Sequence, residues 1–382
     1  MIKKFLLLLL TAAPLFAVSQ EKDFIQDVYH FIENPALLEI NQEPGHAFLV
    51  PFRTVDGALK KPAEQSEFFL SLNGKWKFNL ADSPELAPAD FFKETFNDKA
   101  WPEIGVPGNW EMQGFGDPQF RNVAQPFRAD PPKIPHYDNP TGSYRKTFLI
   151  PPGWKGKQVF LRIEAATSAS FVWINGKQAG FNKGANEPAE YNITPFLRPG
   201  KNLIAVRVTK YSDGTYLEDQ DFWRLAGIFR DVRLVARENV FLRNCFVTGD
   251  LDPDYRNGIL RGEAEITNYG MNDASDYQLR VRLFDQNFRE VIPPSLYPVP
   301  FLPKRKTAVV PFKAMVDNPA KWSAEYPNLY ITAFELVDRN GKTCESVSVK
   351  TGFRKIEVNH QVLLLNGKPL KLNGVNSHMQ HP

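Results

Sequence analysis

Cysteine is nearly absent from this chain: Cys245 and Cys344 are the two thiols in 382 residues. That excludes a disulfide-scaffolded fold and a thiolate zinc site, while spacing leaves open whether the two pair or stay as buried free thiols. Histidine is sparse as well, six residues scattered along the chain. No Gly-x-Ser-x-Gly elbow exposes a nucleophile and no glycine loop cradles a phosphate, so Ser-His-Asp hydrolysis and nucleotide chemistry drop out. Charge of one sign is lacking too: 46 Lys plus Arg stand against 43 Asp plus Glu, a net +3 without a basic run or stripe. Nucleic acid is therefore not an expected partner. Nor is there an apolar run long enough to span a membrane. What abounds is proline, 31 residues, with aromatics at 13%. Proline at roughly 8%, against a usual ~5%, fits a turn-rich β architecture better than a helical one.

Residues 1–19 read as an export signal. Lys3 and Lys4 form a positive start, Phe5 to Phe16 an apolar stretch, and Ala17-Val18-Ser19 a small-residue cleavage site. We expect an exported protein, periplasmic or extracellular, cleaved near Ser19. No cysteine follows the site, which argues against a lipid anchor.

One stretch stands apart from the periodic text around it. Tyr211 to Asp231, YSDGTYLEDQDFWRLAGIFRD, mixes Asp213, Glu218, Asp219, Asp221 and Asp231 with Tyr211, Tyr216, Phe222, Trp223 and Phe229, and no period of 2 or 3.6 sorts them into faces. Carboxylates give hydroxyl groups fixed acceptors, and flat rings suit the C–H faces of a pyranose. A solvated surface loop is the alternative, but some twenty irregular residues inside a compact domain are usually functional or disordered, and these are too aromatic for disorder.

Around this stretch the chain divides. Residues 20–66 combine a helical pattern, DFIQDVYHFIENPALLEI, with an extended arm laid over another surface. Residues 67–237 hold short strands between NG, PG and DG turns, with Asn175-Gly176 as a hairpin turn, and predict a jelly-roll sandwich. Six of the seven tryptophans fall here, each expected in a core. Residues 238–353 give six or seven strands and predict an immunoglobulin-like sandwich; Asp252, Asp254 and Asn257 fail the spacing of a calcium loop and read as a turn. Residues 354–382 read as a hairpin turning at Asn366-Gly367, then an apolar strand, LKLNGVN. The fold class is thus mainly β.

The stretch 211–232, with LNGKWKF (72 to 78), VPGNWEMQGFGDP (106 to 118), NPTGSYRKTF (139 to 148), VWINGKQAG (172 to 180), NPAKWSAEYPNLY (318 to 330) and LLLNGKPLKLNGVNSH (363 to 378), closely resembles the large family 2 glycoside hydrolases, the β-galactosidases in particular. The motifs run in the family's order over about 300 residues, so the resemblance is specific. It implies that LKLNGVN opens a catalytic (β/α)8 barrel, truncated here, since a barrel needs about 200 to 250 more residues. It implies an N-terminal arm that wraps the sugar-binding domain and the barrel. It also implies retaining hydrolysis by two glutamates about 5 to 5.5 Å apart, both beyond Pro382, so that the 382 residues alone are expected to be inactive. Within the chain Asp221 matches an aspartate that reaches the sugar hydroxyls and helps hold Na+, Asn122 an asparagine that hydrogen-bonds the sugar, and His378 a histidine that contacts it as charge develops. Mg2+ is implied with Na+, most of the ligands lying past the C-terminus. Glu218, Asp219 and Asp221 are not promoted to catalysts, because this loop binds in the family.

The departures carry information. Ser377-His378-Met379-Gln380 replaces the usual Arg-His-Glu-His, Ala185-Asn186 the usual Ser-Arg, and Tyr211 the usual Trp. An arginine and a glutamate are lost near the barrel mouth, which loosens the expectation of strict galactose specificity. His378 and His381 do not make a zinc pair, since proline follows directly and no third ligand is near. The expected function is a β-galactosidase-like enzyme acting on terminal β-galactosyl or related residues of oligosaccharides, with homo-oligomers allowed for the complete enzyme. The rival readings are a non-catalytic carbohydrate-binding or adhesion module and, within the family, a β-glucuronidase or β-mannosidase.

Overall fold

A computed structural model describes residues 23–121, 126–218, 222–377, 379 and 381. The export signal of residues 1–19 lies outside the described residues, and so do three predicted binding residues, Asn122, Asp221 and His378.

The regular structure of the described residues is mostly antiparallel strands. A seven-stranded sheet runs in the order Glu39–Ile40, Lys177–Asn182, Ala169–Ile174, Lys201–Thr209, Thr141–Leu149, Gly74–Ala81, Glu103–Val106. A four-stranded sheet, Ala189–Asn192, Gln158–Ile163, Val232–Arg237, Phe69–Ser71, faces it. Trp76, Phe78, Tyr144 and Val206 from the first sheet and Leu161, Tyr191 and Leu234 from the second form one core between them. Asn175 and Gly176 turn the chain between two neighbouring strands at φ of 50° and 81°, the left-handed geometry a two-residue hairpin needs.

Alternation of apolar and polar residues fails in the middle of the larger sheet. Every residue of Ala169–Ile174 is buried, because Phe24, Phe31 and Phe91 pack on the outer side of Phe171, Trp173 and Phe181. The sheet thus has a core on each face, and the N-terminal arm supplies part of the second. Within that arm the helix is only Val28–Ile32, shorter than its sequence pattern implied. Aromatic docking onto the sheet, rather than helix length, holds it there.

Val240–Leu251, Gly258–Asn268 and Thr307–Val316 form one sheet of a second sandwich, and Ser295–Pro298, Gln278–Phe284, Tyr330–Val337 and Thr343–Thr351 the other. Leu260, Leu283, Phe334 and Phe353 lie in the core between them. Asp252 accepts the backbone N–H groups of Arg256 at 2.8 Å and Asn257 at 3.0 Å, which makes the Asp252–Asn257 segment a turn. Cys245 and Cys344 are free thiols, and burial pushes each up to about 11.

The arm reaches this second sandwich as well. Phe52 pairs with Ser346, and the Ser348 hydroxyl donates to the Ala58 carbonyl at 2.6 Å, closing the helix Val55–Lys60 onto the sheet.

Beyond the second sandwich Ile356–Asn359, Val362–Leu365 and Lys368–Pro369 make a small sheet turning at Asn366-Gly367, as expected. Residues 370–377 form no strand, and Leu372 and Val375 are exposed. A barrel strand takes its hydrogen bonds from neighbours on both sides; no closed barrel is found among the described residues.

Candidate functional site

The irregular stretch opens with a tight 3-10 turn, Asp213–Tyr216, and its cap is local chemistry. The Ser212 hydroxyl accepts the Gly214 N–H at 3.2 Å while the Ser212 N–H donates to Thr215 Oγ1 at 3.1 Å. Asn139, fully buried, grips the preceding residue from both sides: its Oδ1 accepts the Tyr211 N–H at 2.8 Å and its Nδ2 donates to the Tyr211 carbonyl at 3.1 Å. Asp213 meets the ammonium of Lys183 at 2.7 Å, and the same ammonium donates to the Asn34 carbonyl of the arm at 2.8 Å. One buried cation therefore ties loop, sheet and arm together.

The far end of the stretch is fixed by a second buried pair. Lys210 Nζ lies 2.8 Å from Glu111 Oε1, and Glu111 Oε2 accepts the Ala226 N–H at 2.9 Å. Gly227 follows at φ +120°, where an added Cβ would lie 3.0 Å from both the Gly108 carbonyl and the Tyr144 hydroxyl. Only glycine fits so close to that backbone.

Between these anchors a separate two-stranded ladder stands off the sandwich sheets. Phe222–Arg224 pairs with Gln119–Arg121 in the register Phe222↔Arg121, Trp223↔Phe120, Arg224↔Gln119. The Tyr211 hydroxyl donates to Gln119 Oε1 at 3.1 Å and moors it. Arg121 and Phe222, which end the ladder, are the chain neighbours of Asn122 and Asp221.

The stretch curls around one cavity of about 140 Å³. Tyr211, Thr215, Glu218, Phe222, Trp223, Arg224, Leu225 and Phe229 line it, with Asn109, Thr167, Ser168, Ala185, Asn186, Lys210 and Met379. Rings and aliphatic carbon form most of the wall, and carboxylate, ammonium, hydroxyl and amide groups interrupt it. Such a lining suits a small, uncharged, hydroxyl-rich molecule. Burial raises the Glu218 carboxyl above its ordinary range, although the Ala185 N–H and the charge of Arg224 pull it down. Four of the positions that depart from the usual residues of the resembled family, Ala185, Asn186, Tyr211 and Met379, all line this cavity.

Of the predicted side chains, the structure thus brings together Tyr211, Glu218, Phe222, Trp223 and Phe229 and leaves Asp213, Tyr216 and Asp231 out of the cavity wall, while Asn122, Asp219, Asp221 and His378 lie outside the described residues. Among the described residues no group of three or more His, Cys, Asp or Glu side chains offers a metal site. Sequence reasoning missed Lys210, Glu111, Asn139 and Phe120. No local signal marked the first two: Lys210 shares VRVTKY with a second charge, Arg207, and Glu111 stands among polar residues in NWEMQ.

Comparison with known proteins gives a consistent picture. Residues 69–238 match a family model described as the sugar binding domain of glycosyl hydrolases family 2, and residues 240–354 match the model of glycosyl hydrolases family 2 that follows it. A β-galactosidase of Priestia megaterium is 38% identical over 349 residues, 90% of this chain and 34% of that protein. One of Photobacterium profundum is 38% identical over 353 residues, 92% and 33%. The chain spans about a third of the length of these curated relatives. Among solved structures, Bacteroides uniformis β-glucuronidase 2 covalently bound to cyclophellitol-6-carboxylate aziridine superimposes with a TM-score of 0.67 at 26% identity, covering 81% of this chain and 35% of that one. A β-glycosidase from Bacteroides vulgatus gives 0.62 at 25%, covering 80% and 36%.

Proposed function

The chain belongs to family 2 of the glycosyl hydrolases, and from that premise we propose that it supplies the non-reacting wall of the terminal-sugar pocket in an exported, β-galactosidase-like retaining enzyme. The observation that carries this reading is the cavity walled by Trp223, Phe222, Phe229 and Glu218 of the signature stretch. Asp221 and Asn122, next in sequence to the paired ends of the ladder, are read as hydrogen-bonding the sugar hydroxyls, and His378, one residue before the cavity-lining Met379, as contacting the ring.

In this reading the first sandwich is a jelly roll, the second is immunoglobulin-like, and LKLNGVN leads into a barrel. The acid/base and nucleophilic glutamates belong to the part of the relatives that this chain does not span. One protonates the glycosidic oxygen while the other attacks the anomeric carbon, and water then releases the covalent intermediate with retention. The 382 residues alone bind without hydrolysing. Na+ and Mg2+ would draw on Asp221 and on groups outside the described residues, so no step is assigned to them. Oligosaccharides are the substrates, residues 1–19 direct export, and homo-oligomers are compatible with the complete enzyme.

A β-glucuronidase is the second reading, favoured by the likeness to the Bacteroides uniformis structure. The cavity weighs against it. Of its cations Lys210 is already paired with Glu111 and Arg224 donates to the Glu218 carbonyl at 3.1 Å, while the Glu218 side chain shares the wall. A uronate carboxylate would meet a like charge there. The test is a panel of aryl β-glycosides offered to the protein extended through the portion that its relatives possess. Galactoside hydrolysis with retention is expected. Preference for the glucuronide overturns the specificity, and a lack of turnover of any glycoside, with sugar binding preserved, favours a binding module.

A further inference from the structure

Phe120 is 44% exposed although it sits on a paired strand, and its cross-strand partner is Trp223, with ring centroids 5.5 Å apart and planes tilted by 56°. In an antiparallel ladder directly opposed residues project on the same side. Trp223 lines the cavity and Phe120 does not, so the two rings form a surface that begins at the cavity wall and continues outward by one strand spacing, about 4.8 Å. The ladder belongs to neither sandwich sheet. Its mooring through Gln119 to Tyr211, itself a cavity residue, fixes the platform relative to the pocket.

An exposed ring, Phe120, continuing an aromatic wall calls for a ligand with a flat apolar side and a polar edge. We propose that Phe120 and Trp223 form a stacking platform for the second sugar of an oligosaccharide whose terminal residue fills the cavity. The inference rests on the sugar-pocket reading above and deepens it by naming Phe120 as the residue that holds the second pyranose of a β-linked chain. The C–H face of the second ring lies on Phe120, at the rim, while its hydroxyls stay in water. Stacking of this kind is sequence-tolerant but demands a flat partner, which distinguishes it from a cross-strand pair that merely covers the ladder.

The experiment titrates the 382-residue protein with galactose and with a β-linked galactobiose, following calorimetric heat, for the wild type and for Phe120→Ala, Phe120→Leu and Phe120→Trp. The wild type is expected to hold the disaccharide about three- to tenfold more tightly than the monosaccharide. Alanine and leucine should remove that preference and tryptophan should retain it, with galactose affinity within about twofold in all three variants. A wild type with equal affinities, or a leucine variant that keeps the full preference, overturns the platform while leaving the pocket standing. Absence of saturable galactose binding by the wild type overturns both. Thermal unfolding of each variant shows that the ladder's host domain remains folded, so that a lost preference is read as lost stacking.

Discussion

At the scale of single residues, two buried charges decide how the loop and the arm hold together. Lys183 is the one cation that Asp213 and the Asn34 carbonyl share. Lys183→Met leaves the Asp213 carboxylate buried with its partner gone, and should lower stability by about 3 to 5 kcal/mol in urea denaturation. Adding Asp213→Asn should restore most of that loss. If the double variant is no better than the single one, the ion pair is not what the loop depends on. Glu33 acts differently. Burial alone would raise its carboxyl, but donors at Lys133 (2.8 Å), the Ile134 N–H (3.1 Å) and His136 (2.8 Å) outweigh burial and hold it below the ordinary range. A carboxyl depressed by folding contributes fully above its unfolded pKa, about 4.3, and loses that contribution as pH falls through the lower folded value. Hydrogen-exchange protection factors of residues 23–34, with the pH dependence of the intrinsic rate divided out, should therefore fall below about pH 4 in the wild type and stay flat there in Glu33→Gln. Superimposable profiles would rule this out.

At the scale of elements, the arm replaces what a solvent-facing sheet would leave bare. Phe31 is 1% exposed and meets Phe24, Phe171 and Phe181 at centroid distances of 5.2, 5.8 and 5.4 Å. Phe31→Ala should cost about 3 to 5 kcal/mol and raise binding of a hydrophobic dye, which a wild-type level of dye binding would contradict. Much of the element plan was legible beforehand: strand runs, the Asn175-Gly176 and Asn366-Gly367 turns, and the division into two sandwiches all have local causes. What escaped reading had distant ones. Trp173 stands in a run that looks like an ordinary buried strand, and nothing near it tells that Phe24, some 150 residues earlier, covers its outer side. The candidate site follows the same rule. Its aromatic and acidic stretch was visible as a stretch, but the Glu111–Lys210 pair beneath it and the Phe120–Trp223 contact join segments about a hundred residues apart, and no pattern in either segment names the other.

At the scale of the whole molecule, the two sandwiches meet through Arg237. Its guanidinium faces Glu345 of the second sandwich at 3.4 Å and also donates to the Leu49 carbonyl of the arm, while Glu345 accepts the Leu242 N–H. Arg237, Glu345 and Leu242 are all buried. Calorimetry of the wild type should show one unfolding transition, and Arg237→Met should split it into two, since the junction then leaves a carboxylate without its cation. A variant that merely melts earlier in a single step would place the coupling elsewhere. The arm gives this architecture an order in time. The Phe24 amide seats on Gln178, 154 residues later, and the Ala58 carbonyl on Ser348, 290 residues later. At ribosomal speeds of roughly 5 to 20 residues per second, Phe24 has no place to land for about 8 to 30 s and Ala58 for about 15 to 60 s. The arm's phenylalanines are sticky throughout that wait, so a chaperone that shelters residues 24–52 during translation should raise the yield of correctly closed protein more than one acting after release.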